Sequence, residues 1–372
     1  MKNTKLTKKC LALSILSAAS VAQATPLLDA DLNNQSIYTL NYLVTGADSN
    51  VGGNMQSVTT ATLGANTVVG GYLETGTTST IGAGSTVNGY VYSGTTSTTG
   101  VDSIIMGNLS TGTTATLGAG STVGGNIRAG GAVTRGVGDT VTGTVEQNLA
   151  GTLGYSAPEV TIQTTQIAAA QQTLKAMGAG TLLNSITFGT NDETLTAGIY
   201  STLNYLTIAG GKTLTLDGGG VDSTFLFNIS NYLTFAAGAK VELINFTDES
   251  AIIWNVLGDK VGSAGYTEFG IGAVGRGFIF SRGYVGSGAD VTLTGVGNYC
   301  GGIFSGENYV GLGARNTIGT EGCLSGSVTT FDALNDPDNR GVPVPATFWL
   351  FGSAFIGLLG VARRKKAQVI HS

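Results

Sequence analysis

Val51-Gly-Gly-Asn54, Val69-Gly-Gly-Tyr72, Val87-Asn-Gly-Tyr90, Ile105-Met-Gly-Asn108, Val123-Gly-Gly-Asn126 and Val141-Thr-Gly-Thr144 repeat one phrase at a strict interval of 18 residues. A fixed period without insertions means that each unit stacks on the one before, because no single unit can bury its apolar side alone. Each unit divides into three sixes. One lane runs Leu63, Ile81, Thr99, Leu117, a second runs Val51 to Val141, and a third holds the small residues Ser57, Thr75, Ser93, Thr111 and Ala129. Two aliphatic lanes and one small lane fill a narrow triangular tube, with glycine following many lane residues where the backbone turns a corner. Arg135 breaks the pattern, so the array is expected to degrade there.

A second register runs through the same units. Thr60-Ala-Thr62, Thr78-Ser-Thr80, Thr96-Ser-Thr98 and Thr114-Ala-Thr116 fall in step. Residues two apart on a strand share a face, so these form two parallel ranks on successive coils about 4.8 Å apart. A flat lattice of threonines restrains water with its methyls and holds it with its hydroxyls, which is the physical basis of ice binding by a β-solenoid. The same residue type also suits strands and stacks well on itself, so an inward orientation would make the ranks a tube lining.

The ends read as addresses. Lys2, Lys5, Lys8 and Lys9 precede an apolar run from Leu11 to Ala19 and a small-x-small site at Ala22 and Ala24, so residues 1–24 are a secretory signal. At the other end Val342, Pro343, Val344 and Pro345 precede an apolar stretch from Thr347 to Ala362 and the cluster Arg363, Arg364, Lys365, Lys366. The bare residues fit a membrane helix with a cytoplasmic tail. Their order resembles the PEP-CTERM sorting signal of Gram-negative bacteria. That resemblance implies an exosortase-type sorting enzyme as partner, transient residence in the inner membrane, cleavage near the proline motif and delivery to the cell surface or extracellular polymer.

Of 18 Lys+Arg, four lie in each end, leaving ten against 23 Asp+Glu, a balance near −13 for the body between them. Such a body does not favour nucleic acid, whose binding is driven by displaced cations. Cys300 and Cys323 remain after processing and are expected to form one disulfide in an exported chain. Two thiols without a histidine make a poor zinc site, and no metal or other cofactor is expected.

Ile81-Gly-Ala-Gly-Ser-Thr86 and Leu117-Gly-Ala-Gly-Ser-Thr122 resemble the hexapeptide unit of left-handed β-helices, many of which are acyltransferases with a histidine base. The single histidine here, His371, lies beyond the C-terminal apolar segment. The acid pairs Asp192-Glu193 and Asp248-Glu249 are adjacent, so on a strand their members point to opposite faces and make no dyad. The expectation is a protein that is not an enzyme.

From Pro158 the texture changes. Val160, Ile162, Ile167, Ala170, Leu174 and Met177 line one side of a helix with Pro158 in its first turn and Gly178 at its end. Strand signals then return in Leu195-Thr-Ala-Gly-Ile-Tyr200, Leu214-Thr-Leu-Asp-Gly218, Phe225-Leu-Phe-Asn-Ile229 and Ile252-Ile-Trp-Asn-Val256. Phe225, Phe227, Trp254, Phe278 and Phe280 read as core. The succession of helix, L-x-x-G-x-Y, L-T-L-D-G, F-x-F-x-I and W-x-V resembles the bacterial and fungal ice-binding protein family, over roughly residues 157–320. It implies a β-solenoid with a helix alongside and an ice site on a flat face of small and threonine residues. Thr213, Thr215, Thr292 and Thr294 are further candidates for such a face. Glu268, Arg276 and Arg282 would spoil it if they faced the same way.

The expected organisation is a signal peptide (1–24), a lead-in (25–50), the repeat solenoid (51–150), the helix (157–178), a second solenoid part (180–330), a linker (331–341) and the sorting signal with its transmembrane helix (342–372). The fold class is all-β dominated, a triangular β-solenoid with one long helix packed alongside. The candidate surface is Thr60, Thr62, Thr78, Thr80, Thr96, Thr98, Thr114 and Thr116. Its expected partner is ice, with a non-catalytic structural or adhesive role in an extracellular polysaccharide matrix as the alternative.

Overall fold

A computed structural model describes Leu28, Leu32 and residues 35–149, 157–185, 188–259 and 264–319, with side chains from residue 165 in the helix. The signal, the sorting motif, its apolar segment and Cys323 lie outside the described residues. Three parallel sheets of 13, 11 and 12 strands form the sides of a triangular β-solenoid. We call them faces A, B and C. In the first repeat they take Asn54–Ser57, Thr60–Leu63 and Val68–Val69.

The tube is lined by six inward lanes, two per face, and sequence periodicity had picked out three. The unrecognised ones are the Met55, Leu73, Val91, Leu109, Ile127 lane, the Ala61, Ser79, Ser97, Ala115 lane and the Ser49, Thr67, Ser85, Ser103, Ser121 lane, all buried. Small hydroxyl residues inside a parallel tube are tolerable because they bond one another and nearby carbonyls. Ser79 Oγ lies 2.7 Å from Ser93 Oγ and donates to Ser97 Oγ at 2.8 Å. Ser57 Oγ donates to the carbonyls of Asn41 and Thr60 at 2.6 and 2.8 Å.

Corner geometry explains the repeat's punctuation. The turn from face B to face C needs one residue per coil at positive φ, and Asp48, Asn66, Gly84, Asp102, Gly120 and Gly138 supply it at φ between 54° and 76°. These are the residue types that tolerate the left-handed region. At the turn from A to B the coils approach so closely that a Cβ on Gly94 would sit 2.0 Å from the Gly76 carbonyl oxygen. Gly94→Ala should therefore spread two coils and cost about 1–3 kcal/mol, as overpacking does. The midpoint of thermal unfolding followed by circular dichroism checks this, and an unchanged midpoint would contradict the close approach.

The coils are not stacked in chain order. On face A the first strand, Gln35–Thr39, pairs with Asn54–Ser57 on one side and with Gly302–Ser305 on the other. On face C, Asn50–Val51 pairs with Thr317–Ile318. The first coil thus lies in the middle of the solenoid. The 18-residue array grows from it in one direction, and the second half returns to it from the opposite end. The array continues past Arg135: its last coil takes Val133–Thr134 before that residue and Thr140–Val141 and Val145–Glu146 after it. Arg135 takes the place of the Leu117 lane in that last coil and pairs with Asp139 at 2.9 Å. A charge in an inward lane discourages a further coil from stacking there, which closes the array by substitution.

The helix Ala157–Ala176 crosses face A of the second half. At about 1.5 Å per residue its 20 residues span about 30 Å, or about six coils. Ile167, Ala170 and Leu174 pack on Leu226, Ile253, Phe278, Phe280, Phe304 and Tyr38, all buried. Phe278 and Phe280 therefore belong to this second core beneath the helix, while Phe225, Phe227 and Trp254 fill the tube. Both sides of these strands are buried, so alternation alone could not assign the sides. A polar seam fixes the helix in register. Asn255 Nδ2 donates to the Gln171 carbonyl at 3.0 Å and to Asn228 Oδ1 at 2.8 Å, and Gln171 Nε2 donates to the Val256 carbonyl at 3.0 Å.

Candidate functional site: face B

The strand from Thr60 to Leu63 alternates outward, inward, outward, inward, and so do Thr78–Ile81 and Thr96–Thr99. The threonines of both ranks point outward and the tube lining is Ala61, Ser79, Ser97 and Ala115. The register is direct: Thr60, Thr78 and Thr96 are cross-strand partners, as are Thr62, Thr80, Thr98, Thr116 and Thr134. Thr114 precedes Ala115 in the first rank, where Ala132 takes the next place. All eight candidates are brought together, and Thr134 adds a ninth.

The two ranks differ in their hydroxyls. Thr96 Oγ1 donates to Thr78 Oγ1 at 3.1 Å, and Thr78 Oγ1 lies 3.4 Å from Thr95 Oγ1. A third column at the corner, missed in sequence, is bonded to the backbone. Thr77, Thr95 and Thr113 each donate to the carbonyl of the column member one coil before, at 2.8, 2.9 and 2.8 Å. Thr62, Thr80, Thr98, Thr116 and Thr134 make no side-chain hydrogen bond among the described residues, and all are exposed. A lattice about 4.8 Å by about 6.6 Å results, with the methyl and hydroxyl of the outer rank left to solvent.

The other array faces carry mixed side chains. Face A turns Glu74, Tyr92, Ser110, Arg128 and Glu146 outward, and face C turns Val68, Thr86, Ile104, Thr122 and Thr140 outward. On face C, Thr213 and Thr215 pair with Lys240 and Glu242, and Thr292 pairs with Val274, so they form no uniform lattice. Thr294 is buried and accepts a hydrogen bond from Arg276. The charges feared in the second half disperse: Glu268 is on face B, Arg276 on face C, and Arg282 pairs with Glu307 at 2.8 Å.

Along face B the first rank changes identity at Tyr42. Beyond it the rank continues as Tyr309, Tyr284, Tyr266, Tyr232 and Tyr205, six rings stacked at centroid distances of 4.7 to 5.2 Å. The signal was present in sequence as Asn41-Tyr42, Asn204-Tyr205, Asn231-Tyr232 and Asn308-Tyr309, but intervals of 27, 34, 18 and 25 residues between successive second-half coils hid it. Tyr284 donates to Glu268 Oε1 at 2.6 Å. Burial and the Glu268 carboxylate hold the Tyr284 phenol well above its ordinary range, and burial raises Tyr232, Tyr266 and Tyr309 as well. Tyr232, Tyr266, Tyr284 and Tyr309 therefore stay neutral at physiological pH.

Among the described residues no cluster of three or more His, Cys, Asp or Glu could hold a metal ion. None of the described helices is long and apolar enough to cross a membrane.

The model of the Ice-binding-like family matches residues 97–318, more than half of the chain. The chain belongs to the ice-binding-like family. This is a non-catalytic family. The matched region starts at Ser97, inside the repeat array, well before residue 157 where sequence resemblance had begun. No curated protein matches the chain in sequence. Among solved structures it is similar to a glycosylated ice-binding protein from an Arctic yeast, at 14% identity over 80% of this chain and 94% of that one, with a TM-score of 0.43. It is similar to an ice-binding protein from the Antarctic ascomycete Antarctomyces psychrotrophicus, at 14% identity over 79% and 98% of the two chains, with a TM-score of 0.43. An ice-binding protein domain from Shewanella frigidimarina is 21% identical over 57% and 92% of the two chains, with a TM-score of 0.33.

Proposed function

We propose that this member of the ice-binding-like family binds ice through the threonine half of face B, with Thr62, Thr80, Thr98 and Thr116 as the leading contacts and Thr60, Thr78, Thr96 and Thr114 beside them. The observation that carries this reading is the outer rank: outward threonines in register on successive strands, with hydroxyls that make no hydrogen bond among the described residues. Each offers a methyl that restrains water and a hydroxyl that anchors it. Repetition along a rigid backbone means that the ordering of one water helps the next, and little conformational entropy is lost on contact.

The sequence ends extend the proposal. With a signal cleaved after Ala24 and a sorting motif at Val342 to Pro345, the protein acts outside the cell, at the surface or in the extracellular polymer, after processing by an exosortase-type enzyme. The Cys300–Cys323 disulfide belongs to the same proposal, as oxidising conditions favour it. The fluorescently labelled protein should enter the ice phase of a slowly growing ice hemisphere. Exclusion from the ice, as for a control protein of similar size, would overturn the reading.

A further inference from the structure

The second half of face B has a feature that the fold does not require. In the outer rank, Thr207, Thr234, Glu268, Gly286, Gly311 and Val44 follow one another on successive strands. Gly286 and Gly311 do not adopt positive φ. A Cβ at either position would meet only the neighbouring ring, Tyr284 at 3.5 Å or Tyr309 at 3.4 Å, in ordinary van der Waals contact. The same stacked tyrosines at 205 and 232 coexist with threonines two residues on. Neither backbone nor ring therefore calls for glycine, and what the two glycines provide is an absent side chain.

The result is a trough of about 440 Å³ along the solenoid axis, with Gly286, Gly311 and Ser287 in its floor and Tyr284, Tyr309 and Glu268 in its walls. It crosses the four strands that begin at Leu233, Thr267, Val285 and Val310, a length of about 14 Å at three strand spacings. Among the described residues no lysine or arginine lines it, so none of them neutralises a phosphate or a uronate there. Its polar groups are hydroxyls and one carboxylate. Glu268 Oε1 is held by Tyr284, and the Tyr309 hydroxyl makes no hydrogen bond among the described residues. The ring faces are consumed by the ladder, so a ligand meets ring edges and hydroxyls at intervals near 5 Å.

We propose that this trough binds a neutral, extended β-1,4-linked glycan, which presents hydroxyls and apolar C–H edges at closely the same interval and about three sugar units of which fill its length. Glu268 accepts from sugar hydroxyls, Tyr309 donates or accepts, and the glycine floor admits the chain. The threonine half is separate on the same face, so the proposal stands independently of ice binding. One surface would then hold two solids, ice at one end and matrix polysaccharide at the other.

Isothermal titration of the full chain with cellohexaose tests this. The wild type should show saturable binding, and Gly286→Thr/Gly311→Thr, which continues the threonine column, should weaken it by at least about tenfold with an unchanged circular dichroism spectrum and unchanged ice shaping. No saturable binding by the wild type, or equal affinity in that double variant, would overturn the proposal. Should the double variant not fold, Glu268→Gln keeps the trough's shape and removes the charged acceptor; it should weaken binding, and an unchanged affinity would equally overturn it. Loss of ice activity in a wild type that still binds cellohexaose would count against the ice reading alone.

Discussion

Thr80→Tyr/Thr98→Tyr should reduce thermal hysteresis to less than about a tenth of the wild-type value while leaving the fold intact. Both side chains are exposed in the centre of the outer rank, so the rings can be accommodated in solvent, and surface changes of this kind cost within about 0.5 kcal/mol. The rings would stand above the lattice and hold any flat crystal plane away from Thr62 and Thr116. The neighbouring hydroxyls would remain, but none could reach the crystal together with the rest. Nanolitre osmometry on the double variant and the wild type at equal concentration reads the effect. Circular dichroism read on the same samples separates loss of contact from loss of structure, and an unfolded variant would mean that these threonines support the tube.

Trp254→Ala should be the most destabilising single substitution considered, at about 3–5 kcal/mol. Trp254 is fully buried, stacked on Phe227 at 4.2 Å and edge-on to Phe235 at 5.4 Å. Its Nε1–H donates to the Arg276 carbonyl at 2.7 Å. Truncation leaves both a cavity between stacked coils and a carbonyl without its donor, two penalties that act together. In a solenoid each coil contacts mainly its neighbours, so the damage should concentrate in the second half. Hydrogen exchange should accelerate first in the strands from Phe225 to Phe280 and in the helix above them, with the 18-residue array affected later. Uniform acceleration across both halves would show that the two parts melt as one unit. Trp254→Phe should recover most of the packing and leave the Arg276 carbonyl as the residual cost.

The sequence was most legible where the coils are identical. An 18-residue period identifies the array, and the recurrence of Thr60 and Thr62 at that period puts the ladders in register. Their outward direction was not readable, because threonine serves equally in a lining and on a surface, and Thr75 and Thr111 in fact point inward. The second half was legible in kind but not in detail. Insertions at the corners give unequal coil lengths, so the tyrosine ladder has no fixed period even though its rings stack as regularly as the threonines do. Phe278 and Phe280 are core, as read, but which of the two cores they fill could not be assigned, because a strand buried on both sides carries no polar alternation to orient it. The placement of the first coil between Asn54–Ser57 and Gly302–Ser305 depends on pairing across more than 260 residues, for which a single sequence holds no local signal. Gly286 and Gly311 lie within strands and leave gaps in the outer rank that no sequence pattern marks.

Thermal hysteresis of three single variants, each placing one tyrosine at mid-array on a different face, tests the central claim most directly: Thr98→Tyr on face B, Ser110→Tyr on face A and Thr122→Tyr on face C. The account predicts that hysteresis collapses in Thr98→Tyr and stays at the wild-type value in the other two. Equal activity in all three, or a loss confined to face A or face C, would contradict it.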